Sequence, residues 1–86
     1  MPRYLVERAW PAPLALPGLH LASPDRSVFI QNNTRAGVIW ICSYATLEGN
    51  TSFCIYDAPS PEAIRSAAAW NGLPTDRISE VQVLEP

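Results

Sequence analysis

The sequence predicts an α+β fold with the element order β-α-β-β-α-β, the ferredoxin-like arrangement in which two helices cover one face of a four-stranded antiparallel sheet. Two observations predict it. The pattern Ser-Pro-acid occurs at residues 23–25 and again at residues 60–62, and it is typical of a helix start with an N-cap, a proline at the first position and a first-turn acid. Each copy is flanked by segments rich in β-branched and aromatic residues, which favour strands.

The first half of the chain supplies one strand and one helix. The strand is predicted from Arg3 to Trp10, and Pro11 ends it. Residues 11–22 are too rich in proline for a helix and too apolar for a flexible linker, so they predict a loop packed on the surface near a pocket mouth. The first helix is predicted from Pro24 to about Ala36, with Gly37 as its C-terminal stop.

The second half begins with a hairpin. Strands are predicted from Val38 to Leu47 and from Thr51 to Asp57, joined by a short Glu-Gly-Asn turn. The second helix runs from Pro61 to about Asn71, and the last strand from Asp76 to Leu84. All these elements belong to one predicted domain, residues 1–86.

Composition narrows the class of protein. The chain has six Lys and Arg against eight Asp and Glu, for a net charge of -2, and its arginines are scattered, which argues against a nucleic-acid partner. No apolar run approaches the roughly 20 residues of a membrane span. Glu7 lies where a signal peptide needs an apolar core, so a cytoplasmic location is expected.

The central hairpin is apolar on both faces. In a sheet covered on one side only, every second residue should be polar, but Ile39, Ile41 and Ala45 alternate with equally apolar neighbours. A chain this short also buries only about 60 % of its unfolded surface. Both observations predict a homodimer formed through the open sheet face.

Several short motifs occur together in this chain: YLVER at 4–8, GVIW at 37–40, SY at 43–44, FCIYDAPSPEAIR at 53–65, NGLP at 71–74 and DRI at 76–78. In these motifs the chain resembles a family of small bacterial domains often labelled nickel-binding protein. The resemblance covers most of the chain, and residues 11–30 are the least alike. It implies a dimeric ferredoxin-like α+β barrel, with nickel or zinc as the candidate metal. Where relatives carry histidine, this chain has Cys42, which keeps a soft ligand.

The two cysteines have three interpretations. With a three-residue turn, Leu47 pairs with Thr51, so Tyr44 faces Cys54 and Cys42 faces Tyr56. These four residues then share one face, with the two cysteines as diagonal neighbours. Diagonal spacing disfavours a disulfide. The cysteines are then small core residues, or part of a ligand pocket or metal site with His20 or a carboxylate. A slip of one residue would part them.

Other polar residues are candidates for ligand binding. Tyr44 and Tyr56 need hydrogen-bond partners if buried. Asn71 falls on the apolar stripe of the second helix, where it either caps the helix or binds a ligand. Glu7 is either an edge-strand residue or a pocket carboxylate. Its neighbour Arg8 points to the opposite face.

The functional prediction is therefore a small dimeric binding protein. A pocket between sheet and helices would hold a small molecule or a transition metal, with Tyr44, Tyr56, Asn71 and Glu7 as ligand-binding residues. Cys42, Cys54 and His20 are the metal candidates. The alternative is a cofactor-free enzyme, such as an isomerase, cyclase or monooxygenase-like protein, by analogy of fold alone. The sequence contains no recognisable catalytic set.

Overall fold

The structure is a computed structural model that describes residues 1–10 and 24–86. Its elements are β1 (Arg3–Ala9), α1 (Pro24–Arg35), β2 (Ile39–Ala45), β3 (Thr51–Asp57), α2 (Pro61–Asn71) and β4 (Arg77–Val81). The order β-α-β-β-α-β is the predicted one. The predicted surface loop, His20 and the N-cap Ser23 lie outside the described residues.

The four strands form one antiparallel sheet in the order β2-β3-β1-β4. This is the ferredoxin-like arrangement, so the predicted fold class is confirmed. β1 lies between β3 and β4, with Glu7 opposite Phe53 on one side and Arg77 on the other. The edge-strand interpretation of Glu7 is therefore wrong.

Both helices end as the glycines predict. Gly37 has φ 76° and Gly72 has φ 69°, backbone angles that glycine adopts at little cost. In α1, the amide of Val38 donates to the carbonyl of Asn33 at 2.8 Å. The amide of Leu73 donates to the carbonyl of Ala68 at 2.9 Å in α2. Both are hydrogen bonds of the Schellman motif, which ends a helix and reverses the direction of the backbone after it.

The core lies between the helices and one face of the sheet. Along β1 and β3, buried residues alternate with half-buried or exposed ones, as in strands covered on one face. The apolar core cluster comes from β1, β3, α2 and the residues just before β2 and just after β3: Tyr4, Val6, Val38, Cys54, Tyr56, Ala58, Ile64 and Ala67. No helix in the described ranges is long and apolar enough to cross a membrane.

The hairpin differs from the prediction in two places. The amide of Thr46 donates to the carbonyl of Thr51 at 2.9 Å, so the turn has four residues, 47–50, instead of three. A β-bulge at Ile41 then adds one residue to β2, and Trp40 comes to lie opposite Tyr56. The longer turn shifts the pairing by one residue, and the bulge shifts it by one more, so beyond Ile41 each residue pairs two positions away from its predicted partner.

This register separates the two cysteines. Cys42 lies opposite Ile55, on the face away from the helices, whereas Cys54 lies opposite Ser43 and is buried beneath the helices. The predicted shared face of Cys42, Tyr44, Cys54 and Tyr56 is therefore wrong. Cys54 and Tyr56 are on the helix-covered face, and Cys42 and Tyr44 pair with residues of the other face.

The described helices leave that second sheet face uncovered, and we call it the open face. Its central part is apolar and half-buried, formed by Leu5, Phe53 and Ile55. On the edge strand β2, Ile39 is 53 % exposed and Tyr44 is 66 % exposed. The apolar character that the sequence predicts for both faces of the hairpin is thus present in the structure.

Candidate functional site

A pocket opens between the helices and the end of the sheet that carries the hairpin turn. The cavity volume, measured as the space open to the centre of a water molecule, is about 80 Å³. One water needs roughly 10–15 Å³ on this measure. The described residues that line it come from both sheet and helices: Arg8, Trp10, Phe29, Asn33, Trp40, Ser43, Tyr44, Ala45, Ser52, Cys54, Tyr56, Asn71 and Leu73. It is a mixed surface of aromatic and small polar groups.

Arg8 is the one charged residue among the described residues of the pocket wall. It lies on β1 at the same parity as Tyr4 and Val6, so the strand turns it under the helices, and it is only 2 % exposed. Its guanidinium carbon lies 5.7 Å from the centre of the Tyr56 ring. Nε and Nη1 are buried and have no hydrogen-bond partner. A buried charge with so few partners is unusual.

Tyr56 faces the pocket from β3. Burial raises the pKa of its phenol, while the neighbouring Arg8 charge partly opposes that shift. The hydroxyl therefore keeps its proton at neutral pH, because the ordinary pKa of tyrosine is already about 10. A protonated phenol can donate a hydrogen bond to a ligand.

Two indole rings are held in place by serines from the same sheet. Trp10 Nε1 donates to Ser52 Oγ at 3.0 Å, and Trp40 Nε1 donates to Ser43 Oγ at 2.8 Å. The Trp10 bond is partly buried, where an indole N–H needs an acceptor, and the Trp40 bond is at the exposed edge of the sheet. Both rings therefore have a defined orientation at the pocket wall before any ligand arrives.

Three asparagines join the helices on the other side of the pocket. Asn32 Nδ2 donates to Asn71 Oδ1 at 2.7 Å, and Asn71 Nδ2 makes a longer contact of 3.5 Å with Asn33 Oδ1. This explains the polar side chain on the apolar stripe of α2, since Asn71 ties α2 to α1. Asn71 does not cap the helix, because the amides of Gly72 and Leu73 make the capping bonds. Its contact with α1 is a role that the sequence did not predict.

The structure brings some of the predicted ligand-binding residues together. Tyr56 and Asn71 line the pocket, and Tyr44 borders it from the edge strand with its side chain largely exposed. Glu7 pairs with Phe53 and points to the open face, away from the pocket. The prediction of Glu7 as a pocket carboxylate is therefore wrong. The binding role of the other three stays a prediction.

The two cysteines among the predicted metal ligands do not converge, and His20 lies outside the described residues. Cys42 is on the open face, where it lies near enough to Arg3 to contribute to that residue's raised pKa, after the larger effect of Asp57. Cys54 is buried on the other side of the sheet. Within residues 1–10 and 24–86, no three His, Cys, Asp or Glu side chains are grouped to hold a metal ion. The described donors do not fit a nickel or zinc site built on the cysteine pair.

Arg8 and the two tryptophans are pocket residues that the sequence pattern does not assign to the site. The sequence does contain an indication that Arg8 belongs to the site, namely its position in the alternating pattern of β1. Alternation along β1 places Tyr4, Val6 and Trp10 on one face, and the same alternation puts Arg8 on it. A charge at a position where the pattern predicts burial is itself an indication of a site, because arginine is rarely buried without a partner.

The fold and this pocket define a class of protein, a small ferredoxin-like α+β protein with a polar and aromatic pocket beneath its helices. The family model described as nickel responsive protein SCO4226-like matches residues 4–81. The chain belongs to this family, as the resemblance of its motifs indicated.

A solved structure shares the fold. The crystal structure of SCO4226 from Streptomyces coelicolor A3(2) superposes with a TM-score of 0.78 at 18 % sequence identity, covering 96 % of this chain and 99 % of that chain. No curated protein matches the sequence.

Proposed function

We propose that this member of the nickel-responsive family is a homodimeric binding protein whose small-molecule ligand occupies the pocket between sheet and helices. The observation that carries the proposal is the fixed arrangement of the pocket wall. Trp10, Trp40 and Asn71 are each held by a hydrogen bond to another described residue. Binding sites are typically concave, largely apolar and formed in advance, with a few placed polar groups.

The positions of the cysteines also favour an organic ligand over a metal ion. The family's name refers to nickel, but Cys42 and Cys54 cannot act on one ion from opposite sides of a sheet. We therefore expect a Cys42→Ala, Cys54→Ala double variant to take up nickel and zinc no less than the unaltered protein. Weaker metal uptake by the variant, measured by metal analysis after dialysis, would show that the cysteines are metal ligands.

The dimer is the second part of the proposal. Leu5, Phe53 and Ile55 form the centre of the open face, and an apolar sheet face exposed to water is an aggregation hazard. A second copy presents the same surface, so a two-fold axis over this face covers both apolar centres at once.

Ligand binding is testable through the tryptophans. Trp70 packs against Arg35, whose guanidinium carbon lies 4.1 Å from its ring, and it is not part of the pocket wall. In a Trp70→Phe variant the remaining emission comes from Trp10 and Trp40. We expect a panel of acidic, basic and neutral small molecules to contain compounds that change this emission and raise the melting temperature.

A variant with a filled pocket tests whether the ligand binds there. Ala45 lines the pocket from the exposed edge strand, so Ala45→Phe should reduce its volume with little effect on the core. Ala69 is exposed on α2 and is not part of the lining, which makes Ala69→Phe the matched variant. Ligands should lose affinity for Ala45→Phe and keep it for Ala69→Phe. A panel without any binder, or equal binding by both variants, would reject the pocket as the site.

A further inference from the structure

We propose that the ligand of the pocket is a small aromatic monocarboxylic acid whose carboxylate binds the guanidinium of Arg8. The inference rests on the proposed binding function and names the chemical class of its ligand. It starts from the buried Arg8 side chain, of which Nε and Nη1 have no hydrogen-bond partner.

The first step concerns charge. Arginine stays protonated in proteins, so the pocket wall carries a full positive charge at every physiological pH. Within the described ranges no carboxylate forms an ion pair with Arg8, and no acidic residue is among the pocket's described lining. Tyr56 adjoins the guanidinium, with its ring centre 5.7 Å away, but its neutral phenol does not balance the charge. An anionic ligand would satisfy both the charge and the unpaired N–H groups.

The second step concerns the number of charges. Arg8 is the one cation in the described lining, and the polar groups around it are neutral: Asn33, Ser43, Ser52, Tyr56 and Asn71. A phosphate or a dicarboxylate would bring a second negative charge that no described cation of the pocket balances, which is unfavourable. A monocarboxylate matches one charge with one charge, and its second oxygen can accept from a neutral donor such as the Tyr56 hydroxyl.

The third step concerns shape. The indoles of Trp10 and Trp40 are fixed by their bonds to Ser52 and Ser43, and Phe29 adds an aromatic group from α1. Rings held in this way favour a flat partner, because stacked and edge-to-face contacts both need a planar group. A pocket with about 80 Å³ open to atom centres has room for a small aromatic ring.

The test uses benzoate, its neutral isostere benzamide, and acetate. Titration calorimetry on the Trp70→Phe protein should show that benzoate binds at least about tenfold more tightly than either, a difference of about 1.4 kcal/mol. Tight binding of benzamide would overturn the role of charge, and equal binding of acetate would overturn the role of the ring. In both cases the binding function itself would survive.

Variants of Arg8 test the residue. Arg8→Met should abolish the preference for benzoate over benzamide, and Arg8→Lys should keep part of it because the charge remains. Arg77→Met, on the exposed edge strand β4, is the matched control and should behave like the unaltered protein. Arg8→Met should also melt at a higher temperature, since an apolar side chain replaces a buried unpaired charge.

A preference for benzoate that survives in a folded Arg8→Met protein would overturn the inference. If Arg8→Met does not fold, the comparison of benzoate with benzamide on the Trp70→Phe protein is the deciding result. A preference of at least about tenfold then supports the inference, and equal binding of the two compounds overturns it.

Discussion

Cys42 and Cys54 lie on opposite faces of the sheet, although their strands β2 and β3 are neighbours. A disulfide needs two Cβ atoms that point towards each other, and here the sheet itself separates them. We predict that mild oxidation of the folded protein forms no Cys42–Cys54 bond within one chain. Peptide mass spectrometry of the non-reduced digest checks this, with the same oxidation in concentrated urea as the control. A bond formed in the native protein would contradict the register.

The sequence could predict the hairpin but not this register, and the reason is physical. In most sheets a slip of one residue exchanges an apolar face for a polar one, so the pattern itself reveals the pairing. Here Ile39, Trp40 and Ile41 are apolar in succession, and either register buries apolar groups. The turn length and the bulge at Ile41 decide the register, and neither can be predicted from the alternation of apolar and polar residues.

The site is predictable in part. Tyr56 and Asn71 can be identified because a polar group on an apolar face needs a partner, and both line the pocket. Arg8 carries the same signal, but the edge-strand interpretation of β1 draws attention to its neighbour Glu7 instead. That interpretation is wrong because β1 is central in the sheet. The ferredoxin-like order itself places β1 in the centre, so the edge-strand interpretation, which rests on the charged pair alone, is inconsistent with the predicted fold class.

The proposed dimer makes a prediction for the edge of the open face. Ile39 is 53 % exposed in the single chain, so Ile39→Glu should leave the subunit folded while placing a charge in the interface. We expect the unaltered protein to sediment as a dimer at micromolar concentration and Ile39→Glu as a monomer. Leu47 is fully exposed in the hairpin turn and lies off the sheet face. Leu47→Glu should therefore remain dimeric. A stable monomer of the unaltered protein would refute the dimer.

The start of α2 makes a prediction about stability. Ser60 has extended backbone angles, and its Oγ accepts a hydrogen bond from the amide of Ala63 at 3.2 Å. Loss of an N-cap of this kind costs about 1 kcal/mol, so Ser60→Ala should lower the free energy of unfolding by about that amount in urea. Ser66 is exposed within the same helix, where alanine is the better helix former. Ser66→Ala should cause no loss, and equal effects of the two changes would argue against the cap.

The ion pair on the open face predicts a dependence of stability on pH. Arg3 Nε donates to Asp57 Oδ1 at 2.8 Å, across the central strands β1 and β3. This hydrogen bond, with the charge of Arg3, holds the pKa of Asp57 below its ordinary value. The folded chain therefore favours the ionised carboxylate, and the pair stabilises the fold fully only above the unfolded pKa of about 3.9. Its contribution is lost as the pH falls through the lowered pKa.

We accordingly expect Asp57→Asn to lower the free energy of unfolding near neutral pH and to have progressively less effect below about pH 4. Urea titrations of both proteins from about pH 7 to about pH 2 measure the difference. Glu48→Gln is the control, because Glu48 is exposed in the hairpin turn and forms no ion pair with the described residues, so it should change little at any pH. A difference between Asp57→Asn and the unaltered protein that stays constant into acid would mean that the pair does not act through its charge.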